Sequence, residues 1–188
     1  MSWKISKTID GLEYGHRVWT QKLNADFADD LQCACRRLHG HSGEFVVYMS
    51  GDTLINSMVT DFRHLEFAKR IFGQILDHRF VIDQNDPYFD QMIKPGTKFI
   101  DLNLPVTNQP SYFLGKEVDL STFTLGSPEY EVYEGFTIVD FVPTSENLSK
   151  WVADAIQYKM NSIGVRVTQV DWKETKKSCS SYIVKEQK

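Results

Sequence analysis

The chain has 188 residues, of which 41% are hydrophobic and 24% charged, and its formal net charge is −4. This length suits one domain with a single core, and the charge lacks the basic excess that is typical of nucleic-acid-binding proteins. Three cysteines are too few for a disulfide framework. No apolar run is long enough to span a bilayer, and the N-terminus does not read as a signal peptide. We therefore expect a cytoplasmic protein that binds a small molecule, with neither nucleic acid nor membrane as a partner.

The first half of the chain predicts strands followed by a helix. Residues 3–9 suit a strand, and residues 45–50 suit a second one that is buried on both faces. A short strand is predicted at 59–62. The apolar residues that follow fall at helical spacing, and this helix should end near Asp77-His78.

The second half is interrupted and then regains order. Residues 84–134 are rich in proline and glycine, which predicts loops and short extended pieces, so we expect an irregular insertion and no second domain. Pro143-Thr144-Ser145-Glu146 opens a second helix, since Thr144 or Ser145 can cap it and Glu146 suits its first turn. Two strands follow, near 165–172 and 180–184. The pattern predicts an α+β fold in one domain over 1–188: a four-stranded antiparallel sheet with two helices on one face, plus the insertion.

His39-Gly40-His41 is the sharpest local motif. Alternate side chains of an extended chain point the same way, so both imidazoles can face one metal ion. Three protein ligands with an open fourth position are typical of catalytic zinc, and His16 is the best third candidate. Taken alone, an HxH motif more often consists of ordinary surface or core histidines.

Cys35 lies four residues before His39, beside Arg36 and Arg37. A thiol near cations and a metal-bound substrate can lose its proton and act as a base or nucleophile. Cys33 competes for the same role. Cys35 could instead be an inert structural thiol, or a fourth ligand that closes the zinc site.

Two carboxylates complete the set of candidate residues. Asp77 can orient the neighbouring His78 for proton transfer, although a favourable histidine at a helix C-terminus is the simpler interpretation. Glu174, near a strand end, can accept two hydrogen bonds from a flat amino-pyrimidine edge, although a single strand-end glutamate is usually only solvated.

Taken together, these segments resemble the superfamily of 6-pyruvoyl-tetrahydropterin and 6-carboxy-tetrahydropterin synthases. The matching pieces stand in order along nearly the whole chain outside the insertion: His16, Cys35 to Ser42, Val59 to Phe62, Leu76 to His78, Pro143 to Glu146, and Lys173 to Thr175. The resemblance implies the tunnelling fold and homohexamers built as a dimer of trimers, with sites between subunits. It also implies specific residue roles. Zinc would be held by His16, His39 and His41, with Cys35 as proton acceptor and Asp77 and His78 as a relay. Glu174 would be catalytic as well, anchoring the pterin and taking part in the relay, while Thr144, Ser145 and Glu146 would lie near the pterin.

The spacing within the cysteine motif bears on the branch of the superfamily. Cys35, which three residues separate from HGH, and Ser42 after that motif look like the 6-carboxy branch, whereas Cys33 satisfies the longer spacing of the 6-pyruvoyl branch. The first branch implies a lyase of queuosine and other 7-deazaguanine biosynthesis. It would convert 7,8-dihydroneopterin triphosphate to 6-carboxy-5,6,7,8-tetrahydropterin, acetaldehyde and triphosphate. No GxGxxG motif is present to hold a nicotinamide.

Several alternatives remain open at this point. They are a 6-pyruvoyl synthase, a zinc-stabilised binding module without catalysis, and a family member whose substrate the insertion has altered. The cations for triphosphate are equally undecided, with five candidates: Arg17, Lys22, Arg36, Arg37 and Arg79.

Overall fold

The structure, a computed structural model, describes residues 2–28 and 32–185. Its main elements in chain order are β1 (Trp3–His16), β2 (His39–Gly51), α1 (Glu66–Leu76), β3 (Arg79–Asp83), α2 (Phe89–Met92), β4 (Phe99–Leu104), β5 (Tyr112–Val118), α3 (Pro128–Tyr133), β6 (Phe136–Val139), α4 (Ser145–Met160), β7 (Arg166–Thr175) and β8 (Ser178–Ile183). No helix in the described ranges is long and apolar enough to cross a membrane.

All eight strands form one sheet in the order β4-β5-β6-β3-β1-β2-β7-β8. The prediction of an α+β fold is confirmed, but the prediction of four antiparallel strands is wrong. The expected strands correspond to β1, β2, β7 and β8, which lie side by side and antiparallel. Beside β1 the sheet continues through β3 and β6, which pair in parallel.

The strand predicted at 59–62 is not present. Residues Phe62–Leu65 form a 3₁₀ turn, because the Asp61 carboxylate accepts a hydrogen bond from the Arg63 amide at 2.8 Å and starts a helical turn there. The helix predicted after it begins as α1 at Glu66 and ends at Leu76, as the apolar spacing indicated.

The two long helices pack on the same face of the sheet. Phe72 of α1 and Trp151 of α4 meet with ring centroids 5.3 Å apart, and Phe72 also contacts Phe45 of β2 at 5.5 Å. Trp172 of β7 stacks on Phe45. These rings belong to one continuous buried cluster. Burial of each such side chain stabilises the fold by about 1.5–3 kcal/mol.

The insertion is not irregular, contrary to the expectation from its prolines and glycines. It contributes β4 and β5 to the sheet and the short helices α2 and α3. Its strands are brief and separated by a proline-containing loop, so a composition average over the whole segment hides them. Val81 belongs to the buried cluster beneath the two long helices, whereas its neighbour Ile82 points to the other face of the sheet and belongs to a second buried cluster. Residues of the insertion are part of this second cluster, so the insertion covers the opposite face of the sheet at this end.

Candidate metal centre and catalytic site

Three histidines converge where β1 and β2 are paired. In the antiparallel register His16 lies opposite His39, and Tyr14 lies opposite His41, so the three imidazoles share the face that carries the helices. One nitrogen from each ring lies within 4.8 Å of the other two. The Nε2 atoms of His16 and His41 are 3.1 Å apart. This separation of two acceptor-capable nitrogens suits ligands that point at one ion.

Backbone carbonyls orient two of the rings. His16 Nδ1 lies 2.5 Å from the Pro143 carbonyl oxygen, and His39 Nδ1 lies 2.8 Å from that of Arg37. A carbonyl oxygen only accepts, so each Nδ1 carries the proton and donates it. The Nε2 lone pairs therefore remain for a metal. This is the usual way in which the second nitrogen of a ligating histidine is fixed.

The surroundings favour the neutral form of two of the imidazoles, those of His16 and His41. Burial lowers the pKa of His16 to about 4, although its bond to Pro143 opposes the shift and the nearby His39 and His41 add to it. Burial, with the neighbouring His39, also lowers the pKa of His41. Neutral imidazole is the form that binds a metal.

This donor set fits a divalent metal such as zinc. Three imidazoles from two adjacent strands match the three protein ligands of catalytic zinc sites. Within residues 2–28 and 32–185, the group of atoms that meets at the centre includes no cysteine sulfur. Cys35 is therefore not part of this donor group, as a closed four-ligand shell would require.

Glu174 lies beside this centre on β7. Its Oε1 is 3.6 Å from His16 Nε2. Burial raises the pKa of Glu174, and Glu146 raises it further while His39 lowers it. The structure thus brings the predicted pterin anchor to the metal centre, with Glu146 as an electrostatic neighbour.

The start of α4 closes the same side of the site. Thr144 is the N-cap, with its Oγ1 accepting from the Asn147 amide at 3.3 Å, and Pro143 supplies the carbonyl that holds His16. The hydroxyls of Ser145 and Ser180 are 2.6 Å apart, which ties α4 to β8. The capping prediction is confirmed for Thr144.

Asp77 and His78 lie at the junction of α1 and β3. The Asp77 carboxylate accepts a hydrogen bond from the Glu13 amide at 3.0 Å and lies 3.1 Å from His78 Nδ1. The His78 side chain is 81% exposed. Both His78 and His41 line a cavity of about 420 Å³. The structure therefore brings the predicted relay to the same cavity as one of the three histidines.

The two cysteines before HGH differ in how their backbone is held. The Cys35 amide donates to Gln21 Oε1 at 2.9 Å, and the Cys35 carbonyl accepts from the Val18 amide at 2.7 Å. Cys35 is thus tied to the segment directly after His16. Cys33 makes a backbone bond within its own 3₁₀ turn, to the amide of Arg36. Both cysteines are half-buried.

Two of the five candidate cations are already engaged. Arg17 Nε lies 3.0 Å from Oδ2 of the buried Asp86, and Arg79 Nη1 donates to Glu117 Oε2 at 3.0 Å. Lys22, Arg36 and Arg37 are exposed and have no ion pair with another described residue. Within the described residues, these three therefore remain the unpaired candidates among the five.

Sequence reasoning missed Tyr14. Its ring lies 5.4 Å from that of His16 and 5.8 Å from that of His41, and its hydroxyl accepts a hydrogen bond from Trp172 Nε1 at 2.9 Å. Tyr14 lies two residues before His16 on β1 and therefore on the same face. The two-residue period that grouped His39 with His41 could have identified it.

The fold and site together define an α+β protein with a three-histidine centre that can hold a metal. The sequence profile of the 6-pyruvoyl tetrahydropterin synthase family matches residues 4–184. The chain therefore belongs to this family, as its motifs indicated.

Individual relatives agree with this assignment. The chain is 31% identical to the 6-carboxy-5,6,7,8-tetrahydropterin synthase of Aquifex aeolicus (strain VF5) over 192 residues, which cover 97% of this chain and 98% of that protein. A crystal structure of an uncharacterized protein from Wolinella succinogenes superposes with a TM-score of 0.85 at 36% identity, covering 98% and 99% of the two chains. The 6-pyruvoyl tetrahydropterin synthase of Plasmodium vivax superposes with a TM-score of 0.52 at 12% identity, covering 96% and 97%, and supports the fold alone.

Proposed function

We propose that the chain is a zinc-dependent carbon–carbon lyase that acts on 7,8-dihydroneopterin triphosphate. With one water, it would form 6-carboxy-5,6,7,8-tetrahydropterin, acetaldehyde and triphosphate, in 7-deazaguanine (queuosine) biosynthesis. The observation that carries the proposal is the convergence of His16, His39 and His41 beside Glu174. The relative from Aquifex aeolicus favours this branch, because it is named a 6-carboxy-5,6,7,8-tetrahydropterin synthase and the alignment covers almost its full length.

His16, His39 and His41 would hold the metal at one position between their rings, where the hydroxyls of the substrate side chain would reach it. Bound zinc supplies Lewis-acid polarisation of these oxygens, which acidifies the neighbouring C–H bonds. The carbonyls of Pro143 and Arg37 keep two of the ligand rings aimed at this position. Zinc is inferred from the donor set, since three imidazoles suit it well.

The chain's own groups then bind the ring and move protons. Glu174 accepts hydrogen bonds from the amino-pyrimidine edge of the pterin, near Thr144, Ser145 and Glu146. The Cys35 thiolate removes a proton from the substrate side chain. His78, held by Asp77, returns a proton elsewhere, so the redistribution of hydrogens reduces the ring without a nicotinamide.

The assembly and location belong to the same proposal. We expect one tetrahydropterin synthase-like domain over 1–188, including the insertion at about 84–134, assembled as a cytoplasmic homohexamer. The large exposure of His78 supports sites that are completed between subunits, because a neighbouring chain would enclose it.

The test is identification of the products. Purified zinc-loaded protein is incubated with 7,8-dihydroneopterin triphosphate, and products are analysed by mass spectrometry together with an acetaldehyde assay. We expect 6-carboxy-tetrahydropterin and acetaldehyde in equal amounts. Cys35→Ala should abolish turnover but keep zinc, whereas His39→Ala should lose zinc. Cys33→Ala is the matched control and should stay active. A metal-loaded wild-type protein that leaves the substrate intact would refute the proposal.

A 6-pyruvoyl synthase is the second candidate. The family description and the longer spacing from Cys33 to HGH favour it. It would eliminate triphosphate from the same substrate without releasing acetaldehyde, so the same product analysis separates the two. An inactive Cys33→Ala variant together with an active Cys35→Ala variant would identify Cys33 as the catalytic base and favour the 6-pyruvoyl synthase.

A further inference from the structure

The insertion forms one wall of the cleft beside His78. This cleft is lined on one side by Asp77, His78 and Arg79, where α1 passes into β3. On the other side it is lined by residues of the insertion, among them Ile100 and Glu117. The insertion therefore lines the same cleft as the proposed proton relay.

The backbone at His78 needs support from its surroundings. His78 has a φ of 57°, in the left-handed region that residues other than glycine rarely adopt. On its upstream side, the His78 amide donates to the Glu13 carbonyl at 2.6 Å, and Asp77 accepts from the Glu13 amide. These two bonds fasten the relay to β1, but they leave the downstream side to be held by other groups.

The downstream side is held by the backbone pairing of β3 with β1, in which Arg79 lies opposite Tyr14, and the Arg79 side chain adds a contact with the insertion. Its Nη1 donates to Glu117 Oε2 at 3.0 Å and contacts the Phe136 carbonyl at 3.4 Å. The two charged side chains are 24% and 29% exposed, so this pair is better shielded from water than a surface salt bridge. Glu117 itself is fixed because β5 pairs with both β4 and β6.

We propose that Glu117 is a positioning residue for His78 and acts through Arg79. The ion pair holds the first residue of β3, and this keeps the preceding His78 in its left-handed conformation, with its ring at the cavity that His41 also lines. The inference rests on the proposed function, because it assumes that His78 relays a proton. It also gives Arg79 a structural role in place of triphosphate binding.

The test compares Glu117→Gln with wild type in steady-state turnover of 7,8-dihydroneopterin triphosphate. We expect kcat to fall about tenfold, with KM and zinc content unchanged, because misplacing one catalytic group slows the chemical step and leaves binding intact. Arg79→Gln should show the same loss, and the double variant should fall no further than either single one. Glu134→Gln is the matched control, since it removes a carboxylate from the same cleft without touching Arg79.

The other outcomes are also decisive. Full kcat in Glu117→Gln, or a loss that adds to that of Arg79→Gln or of His78→Gln, would overturn the inference. If Glu117→Gln does not fold, the exchanged pair Arg79→Glu with Glu117→Arg tests the same contact, and it must recover kcat. An inactive wild-type protein would instead refute the proposed function, so the two failures are distinguishable.

Discussion

Burial prepares His16 and His41 to bind a metal at neutral pH, because it lowers the pKa of both imidazoles. A buried imidazolium is costly, so His16 stays neutral at pH values well below the usual histidine pKa, and its Nδ1–H donates a hydrogen bond to the Pro143 carbonyl. The same surroundings make the metal-free protein sensitive to acid. His16, which is 1% exposed, thus contributes both to the metal-binding group and to the sensitivity to acid.

We predict that the metal-free protein becomes more stable as the pH rises from about 4 to 6.5. The pKa of His16 is about 4 in the folded chain, against 6.5 for an unperturbed histidine. The unfolded state therefore binds more protons in this window. This contribution of His16 to stability is complete above pH 6.5, and it is lost as the pH falls toward the pKa of His16 in the folded chain. The loss is on the order of 3 kcal/mol.

The measurement is urea denaturation at several pH values after removal of metal with a chelator. His16→Gln should flatten the slope in this window, while His64→Gln, which alters an exposed ring, should leave it unchanged. A wild-type slope that matches the His16→Gln slope would contradict the pKa assigned to His16.

Among the elements, β1 does most to build the site. Its two-residue period places Tyr14 and His16 on one face, and its pairing with β2 brings His39 and His41 opposite them. On the other face, Gly15 gives room to Phe80 of β3, whose ring would lie 2.2 Å from an added Cβ. Glycine is needed here for close approach, since β3 must pair with the end of β1 that carries His16.

Two glycine substitutions should therefore change the free energy of unfolding in opposite directions. Gly15→Ala should destabilise the protein by about 1–3 kcal/mol, because the Phe80 ring must leave its position over β1. Gly73→Ala should stabilise it by up to about 1 kcal/mol, because its Cβ meets nothing within 4 Å and alanine favours α1. Thermal and urea denaturation measure both. Phe80→Ala should relieve the Gly15→Ala strain, and equal effects of the two glycine variants would contradict this packing.

For the whole molecule, the insertion extends the sheet and covers its second face. The continuity depends on Gly115 of β5, which has a φ of 151° and would place a Cβ 2.5 Å from the Ile138 carbonyl of β6. The second core then packs Val118 and Tyr133 from the insertion against Ile82 and Ile138. The insertion is thus part of the folding unit, even though it does not supply the three histidines.

We predict that Gly115→Ala destabilises the protein by at least about 2 kcal/mol, because it adds a clash with backbone to an unfavourable φ. Gly126→Ala is the matched control. Its φ of 77° carries a similar cost of about 1–2 kcal/mol, but nothing lies within 4 Å of its Cβ. Urea midpoints compare the two. A loss in Gly115→Ala no greater than in the control would mean that β5 can leave β6 at little cost.

Local patterns were sufficient for the elements whose spacing is regular. The apolar period of α1 and the cap at Thr144 predicted both long helices, and the HGH motif with His16 predicted the metal ligands that the structure brings together. Hydrophobic period and capping are local properties, so a single sequence contains them. The short strand β3 was missed because a run of five residues is compatible with several structures.

Long-range pairing decided the rest. Contacts between segments far apart in the chain determine which strands lie together and how the insertion joins the sheet through β5 and β6. The carbonyl of Pro143 on His16, the Gln21 bond to Cys35 and the pairing of Arg79 with Glu117 are likewise contacts of tertiary structure. The residue types alone predicted a site of three histidines. The orientation of the rings, the neutral state of His16 and the support of His78 arise only when folding excludes water and brings distant groups into hydrogen-bonding range.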